Sequence, residues 1–371
     1  MSASPSIVIA TGGTAGHVMP GLAVAEHLRE LLPQHRIVFA GAEQGLERRL
    51  VPAAGFPLRL LPSAPLAREP WSGKVKGLLN LARATARARQ LLREEDAAVV
   101  FGTGGYAAAP PLLAARSLAI PAAILECNAT PGIANRWLAR WVDRAFLGCA
   151  EALAELPSAR AVVTGNPLRG EICRLAGESR RTPSTADPLR ILVLGGSGGS
   201  PFLNRSAPVL AAHLARRRSV EVRHQAGDAE CAPIGAAYVA ASVPALVRAY
   251  VDDIAADYRW ADFAVACAGA GTLAELCAAG LPALLVPLAA AAENHQEANA
   301  RRFAAAGAGW WTAERDFEGG REAERVAGLA GDAGAWAAAS AAARSLARSG
   351  AAAEVAAELV RLASPEYGSP I

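Results

Sequence analysis

Short apolar runs recur along the chain, separated by longer stretches of helical periodicity. In the first half the runs are Ile7–Ala10, Ile37–Ala40, Ala97–Phe101, Ala122–Glu126, Ala145–Gly148 and Ala161–Thr164. Between them, segments such as Gly21–Leu32 and Leu78–Arg93 repeat apolar residues with the spacing of one helix face. Strand–helix alternation of this kind builds a parallel, doubly wound sheet, whose strands are apolar on both faces. A polar, proline-containing stretch, Gly177–Pro188, interrupts the pattern. It restarts with Leu189–Leu194 and continues through Val220–Gln225, Ala245–Val251, Phe263–Ala266 and Ala283–Leu288. The expected fold is therefore α/β, with two Rossmann-like domains at 1–165 and 166–348 joined near Gly165–Arg190. The tail, Trp336–Ala363, reads as two helices broken at Ser349–Gly350, and the last, within 349–371, is expected to pack back on the first domain.

Composition narrows the class. At roughly 150 residues per domain, 371 residues suit a two-domain enzyme better than one small binding module. Apolar residues make up 52% and aromatics 5%, because about a quarter of the chain is alanine. No apolar run approaches the ~18 to 20 residues of a membrane span, so a polytopic membrane protein is excluded, and the apolar content excludes disorder. A net charge of +3 does not indicate a nucleic-acid partner. Cys127, Cys149, Cys173, Cys231, Cys267 and Cys277 are widely spaced and form no CxxC, which reads as buried thiols in a reducing cytoplasm. Met1–Ser6 lacks a charged segment, so no signal peptide is expected.

The candidate chemistry sits where strands end. Thr11-Gly12-Gly13-Thr14-Ala15-Gly16-His17 follows the first run and precedes a helix expected to begin near Pro20. Such a turn is either a plain strand–helix connection or a cradle for an anion or sugar beside a helix N-terminus. It does not match GxGxxG, and no acid is well placed at the end of the second strand, so a dinucleotide enzyme is disfavoured. His17 is either a packed or capping side chain or a base working near neutral pH. Gly102-Thr103-Gly104-Gly105-Tyr106 repeats the strand–turn–helix arrangement at the same carboxyl edge, where doubly wound folds bind ligands. Asn128, within Glu126–Asn135, is either a turn former or an amide for sugar hydroxyls.

The second half repeats the logic. Gly195-Gly196-Ser197-Gly198-Gly199-Ser200 suits a diphosphate held by backbone amides and the Ser197 hydroxyl. Gly165–Arg169 brings a guanidinium close to the domain junction, either a solvated charge or a phosphate contact. Glu275, in Gly269–Leu276, is either a capping-box acid or an acceptor for ribose hydroxyls. Glu293–Asn299 opens a further helix with amide groups at the same edge.

In this order GGTAGHVMPGLAVAEHL, GTGGY, ECNATPGIANRWLA, GNPLR, LGGSGGS, YVDDI, AGAGTLAEL and ENHQEANA resemble the MurG family of bacterial peptidoglycan N-acetylglucosaminyltransferases over nearly the whole chain. The resemblance implies a GT-B type fold, two Rossmann-like domains facing a cleft. It implies inverting transfer from UDP-N-acetylglucosamine, held mainly by the second domain, to lipid I, held by the first, giving lipid II. A related glycosyltransferase moving another nucleotide sugar is the alternative. Donor contacts carry over to Thr14, Ala15, Gly16, Asn128, Arg169, Ser197, Val251, Ala270, Gly271, Thr272, Leu273, Ala274, Glu275 and Gln296. Among these, Val251 takes the uracil edge, Glu275 the ribose and Gln296 the sugar hydroxyls. His17 matches the proposed base, and Gly13, Gly104, Gly105 and Tyr106 fall on the acceptor side. The chain departs from the family pattern at Ala15, Leu125, Cys127 and Gly198. No cofactor and no metal site are expected, since Asp252-Asp253 are adjacent and form no DxD.

Trp71, Val75, Leu78, Leu79 and Leu81 are interleaved with Arg68, Lys74, Lys76, Arg83 and Arg87, and Trp137, Arg140 and Trp141 add to the mixture. This is either an amphipathic helix with a solvated basic face or a surface for anionic lipid. The resemblance favours the membrane, because it implies a polyprenyl acceptor, and places the chain peripherally at the cytoplasmic face of the inner membrane.

Overall fold

The computed structural model describes residues 5–62, 71–156, 159–227, 231–289 and 294–364. The chain divides into two compact units, residues 1–169 with 349–371 and residues 170–348.

The first unit is built on strands β1 (Ser6–Ala10), β2 (Arg36–Ala42), β3 (Leu58–Leu61), β4 (Ala97–Gly102), β5 (Ala122–Glu126), β6 (Arg144–Leu147) and β7 (Ala161–Val163). They form one parallel sheet in the order β3-β2-β1-β4-β5-β6-β7. Ile7, Val8, Ile9 and Ala10 of the central strand are fully buried, which accounts for its unbroken apolar run. Helix Ala15–Leu31 presents Val18, Leu22, Ala25 and Leu28 to the core at helical spacing. Helix Trp71–Glu94 does the same with Ala84, Ala88, Leu91 and Leu92. The terminal helix, Ala351–Ala363, packs on helix Ala15–Leu31. Val355, Leu359 and Leu362 are buried there, and Glu358 pairs with Arg144 at 2.5 Å.

The second unit carries β8 (Leu189–Leu194), β9 (Val220–Gln225), β10 (Ala245–Arg248), β11 (Phe263–Ala266), β12 (Ala283–Leu285) and β13 (Gly309–Trp311). Its parallel order, β10-β9-β8-β11-β12-β13, is that of a Rossmann-type doubly wound sheet. Helix Pro201–Ala215 covers one face through Leu203, Ala207, Leu210 and Leu214.

The structure departs from the sequence pattern at the sheet margins. β3 and β13 are edge strands that the pattern does not reveal. β3 exposes Arg59 and Leu60, so it lacks a long apolar run. β13 is the tripeptide Gly309-Trp310-Trp311, and a side chain at Gly309 would begin 2.0 Å from the Ala283 carbonyl. β10 stops at Arg248 rather than Val251, and β12 at Leu285 rather than Leu288; Val251 N–H bonds instead to Gln225 Oε1 and Leu288 N–H to Gln296 Oε1. Residues 166–169 sit with the first unit, where Asn166 Nδ2 donates to the Cys127 carbonyl at 3.1 Å. No described helix is long and apolar enough to cross a membrane.

Candidate active site

Helix Ala15–Leu31 starts at Ala15 with Thr14 as its cap, five residues earlier than expected, and runs through Pro20. Proline withholds only its own N–H, so the helix loses the single bond to the Gly16 carbonyl. His17 therefore lies in the first helical turn, where its Nδ1 is 3.2 Å from the Thr103 carbonyl oxygen. A carbonyl only accepts, so Nδ1 is the donor in this contact. Gly104 and Gly105 have φ of +107° and +77°. A Cβ at Gly104 would lie 2.6 Å from His17 Nδ1, and one at Gly105 would lie 2.5 Å from the Gly12 carbonyl. The second glycine turn is thus shaped around the imidazole. Tyr106 reaches from it to the Gln44 carbonyl at 3.4 Å.

At the end of β5, Glu126 is buried and accepts four hydrogen bonds: from Asn128 N–H at 2.9 Å, Asn128 Nδ2 at 3.1 Å, Gly132 N–H at 3.0 Å and Asn135 Nδ2 at 2.8 Å. The half-buried Asn128 is held by this carboxylate, and Leu125 is enclosed within the strand. Burial raises the Cys127 thiol far above its ordinary range. Arg169, half-buried, is the last residue of the first unit's 1–169 segment.

In the second unit the glycine turn after β8 folds back tightly. A Cβ at Gly195 would meet the Ser200 nitrogen at 2.4 Å, and one at Gly199 the Ala226 carbonyl at 2.1 Å. Ser200 caps helix Pro201–Ala215 by accepting from Leu203 N–H at 3.2 Å. Ser197 is half-buried and Gly198 exposed at the tip. Val251 N–H is held by Gln225 Oε1 at 3.2 Å.

Helix Ala270–Ala279 begins after Gly269, so Ala270, Gly271, Thr272, Leu273 and Ala274 form its first turns. The strand end before it is held from both sides of one residue. Gln296 Oε1 accepts from Ala268 N–H at 3.2 Å and from Leu288 N–H at 3.0 Å, while Asn299 Nδ2 donates to the Ala268 carbonyl at 3.1 Å. The Gln296 oxygen is thereby committed to backbone. Glu275 is no capping-box acid, because with Gly269 as the cap that position falls on Thr272; its Oε2 accepts from the Tyr258 hydroxyl at 2.8 Å. Of the motif Glu293–Asn299, Glu293 lies outside the described residues.

Known proteins match this geometry in the same order. Residues 7–147 match the N-terminal domain of glycosyltransferase family 28, and residues 190–355 its C-terminal domain. The UDP-N-acetylglucosamine–N-acetylmuramyl-(pentapeptide) pyrophosphoryl-undecaprenol N-acetylglucosamine transferase of Geobacter metallireducens is 36% identical over 88% of this chain and 90% of its own. The enzyme of that name from Alkalilimnicola ehrlichii is 42% identical over 82% and 84% respectively. The chain belongs to the MurG family of glycosyltransferases. The crystal structure of Acinetobacter baumannii MurG is 27% identical and superposes with a TM-score of 0.76, covering 96% of this chain and 99% of that one. The glycosyltransferase of kitacinnamycin, at 18% identity and a TM-score of 0.70 over 97% of this chain and all of its own (100%), shares the fold. The two Rossmann-like units are those of the GT-B fold.

Three buried polar side chains beside these turns escape the sequence pattern. Glu47 is fully buried and accepts from Gly13 N–H at 3.1 Å and Ala42 N–H at 3.0 Å, bracing the first glycine turn. Gln225 also donates through Nε2 to the Gly196 carbonyl at 2.7 Å, joining the second-unit glycine turn to Val251. His224 bonds to Tyr238 and Asn204, both at 3.1 Å. Because Asn204 Nδ2 donates to the Ala226 carbonyl at 2.9 Å, its oxygen faces His224 and receives the Nε2 proton. An acid or amide in a glycine-rich neighbourhood was the available signal for the first two. No local pattern points to His224.

The expected lipid-facing surface is partly described. Arg68 lies outside the described residues, as do the side chains of Trp71, Lys74, Val75, Lys76 and Leu78. On the remainder of that helix Leu79, Arg83 and Arg87 are exposed and Leu81 is half-buried. Trp137 is 48% exposed and packs edge to face on Trp141, with ring centres 6.0 Å apart. Arg116 lies 5.1 Å over the Trp141 ring.

Proposed function

We propose that this MurG-family chain transfers N-acetylglucosamine from UDP-N-acetylglucosamine to the 4-hydroxyl of the N-acetylmuramoyl sugar of lipid I, giving lipid II and UDP. The observation that carries the mechanism is the contact of His17 Nδ1 with the Thr103 carbonyl at 3.2 Å, which supports a neutral ring with its proton on Nδ1 and Nε2 as the base. In this reading Nε2 takes the acceptor hydroxyl proton as that oxygen bonds to the anomeric carbon. The bond from that carbon to the diphosphate breaks at the same centre, so an α-linked donor gives a β-linked product. The departing diphosphate gains from the amides of the Ser197 turn, the N-terminus of helix Ala270–Ala279 and the Arg169 guanidinium. Glu275 accepts the ribose hydroxyls, the Val251 carbonyl meets the base, and the Gln296 NH2 and Asn128 face the sugar. Thr14, Ala15 and Gly16 complete the donor side, while Gly13, Gly104, Gly105 and Tyr106 face the acceptor.

The chain acts peripherally at the cytoplasmic face of the inner membrane, with the basic helix surface around Arg83 and Arg87 on anionic lipid. Incubation with UDP-N-acetylglucosamine and a short-chain lipid I analogue tests the reaction. A β-linked disaccharide by NMR supports it. Turnover only with another nucleotide sugar, or an α-linked product, overturns it.

A further inference from the structure

We propose that Tyr258 is a positioning residue that aims the Glu275 carboxylate at the donor ribose and so sets the preference for ribose over 2′-deoxyribose. The inference rests on the reading of Glu275 as the ribose acceptor. Glu275 is half-buried on helix Ala270–Ala279, and a glutamate side chain has three torsions to restrain before its carboxylate can face two adjacent hydroxyls. Tyr258, on helix Ile254–Trp260, is fully buried, so its ring is a fixed post, and its hydroxyl donates to Glu275 Oε2 at 2.8 Å. That bond occupies one acceptor position of Oε2 and restrains the carboxylate that, in this reading, meets the ribose.

The two helices are also locked to each other. Arg180 Nη1 donates to the carbonyls of Tyr258 and Ala279, both at 3.1 Å, and Nη2 donates to that of Ala261. One guanidinium thus ties the C-terminal ends of the helix that carries the hydroxyl and the helix that carries the carboxylate. Burial lowers its pKa to about 10, so it remains a cation at neutral pH. Ser340 Oγ holds the next carbonyl, that of Gly280, at 2.6 Å. With both backbones tied, the phenol-to-carboxylate bond restrains the Glu275 rotamer from a fixed donor.

Calorimetry with UDP and 2′-deoxy-UDP on the full chain tests this, comparing the parent with Tyr258→Phe and Glu275→Ala. Tyr258→Phe keeps the buried ring and deletes only the donor. It should lower the UDP to 2′-deoxy-UDP affinity ratio about three- to tenfold, the worth of one hydrogen bond. The loss should fall on UDP, with KM for UDP-N-acetylglucosamine rising and kcat staying within twofold. Glu275→Ala should bring the ratio close to one. A collapsed ratio in Glu275→Ala with the parental ratio in Tyr258→Phe overturns the role of Tyr258. Equal weakening of both nucleotides in Tyr258→Phe overturns it as well, since general loosening leaves the ratio intact. An unchanged ratio in Glu275→Ala removes Glu275 from the ribose and the proposal with it.

Discussion

Glu47 Oε2 accepts the N–H of Gly13 at 3.1 Å from a position with no exposure to solvent. Its other oxygen takes the N–H of Ala42, and the space it fills is cleared by glycines: a Cβ at Gly12 or Gly41 would come within 2.9 or 2.8 Å of its side chain. Glu47→Gln turns an NH2 toward one of those two donors. Leaving a buried donor without an acceptor should cost about 1 to 3 kcal/mol. Chemical denaturation should show that loss, and turnover should fall while the UDP affinity of the second unit stays at the parental value. Parental stability would mean that water replaces the carboxylate.

Removing the base tests the chemistry separately from binding. His17→Ala should lower turnover by roughly 10² to 10⁴ with UDP affinity nearly normal. Gly104→Ala should mimic it, because the added Cβ lies 2.6 Å from Nδ1 and the backbone there has φ of +107°. Steady-state kinetics beside UDP calorimetry separates the two quantities. Turnover within a few-fold of the parent in His17→Ala would leave His17 only a shaping role.

Acid should weaken the second unit through His224. Burial pushes its pKa down from 6.5 to about 4 in the folded chain. As pH falls, the unfolded chain takes up this proton first, so stability is full above about pH 6.5, drains toward pH 4 and levels off below. At about 1.4 kcal/mol per pKa unit the loss is roughly 3 kcal/mol. Denaturant titrations from pH 7 to pH 4 should show this slope, and His224→Gln, which carries no titrating group, should lack it. Equal slopes in the two chains would place the acid sensitivity elsewhere.

The basic helix surface gives a prediction that salt will modulate. Replacing Lys74, Lys76, Arg83 and Arg87 with Gln should weaken sedimentation with anionic vesicles at low ionic strength, at about 1 kcal/mol for each charge near the lipid. Turnover of a soluble short-chain acceptor should be unaffected. Sedimentation equal to the parent's would move the lipid-facing surface to another part of the chain.

The sequence by itself determined the interior strands of both sheets, the glycine turns that follow them and the split tail helix. Each is a local pattern, since a strand covered on both faces must be apolar throughout and a tight turn before a helix needs glycine where φ is positive. Tertiary structure decided the margins and the partners. β3 and β13 form because a neighbouring strand offers a free edge, so their own residues carry little signal. His17 meets Thr103 across 86 residues only because β1 and β4 are neighbours, and that bond, not the residue type, makes Nδ1 the donor. Gln296 reads as a ligand group in sequence, yet β11 and the Leu288 segment converge on it and take its oxygen. Glu47, Gln225 and Tyr258 owe their roles to the same cause: a buried polar group takes whichever partner the sheet order brings within reach, and that order is a property of the whole domain.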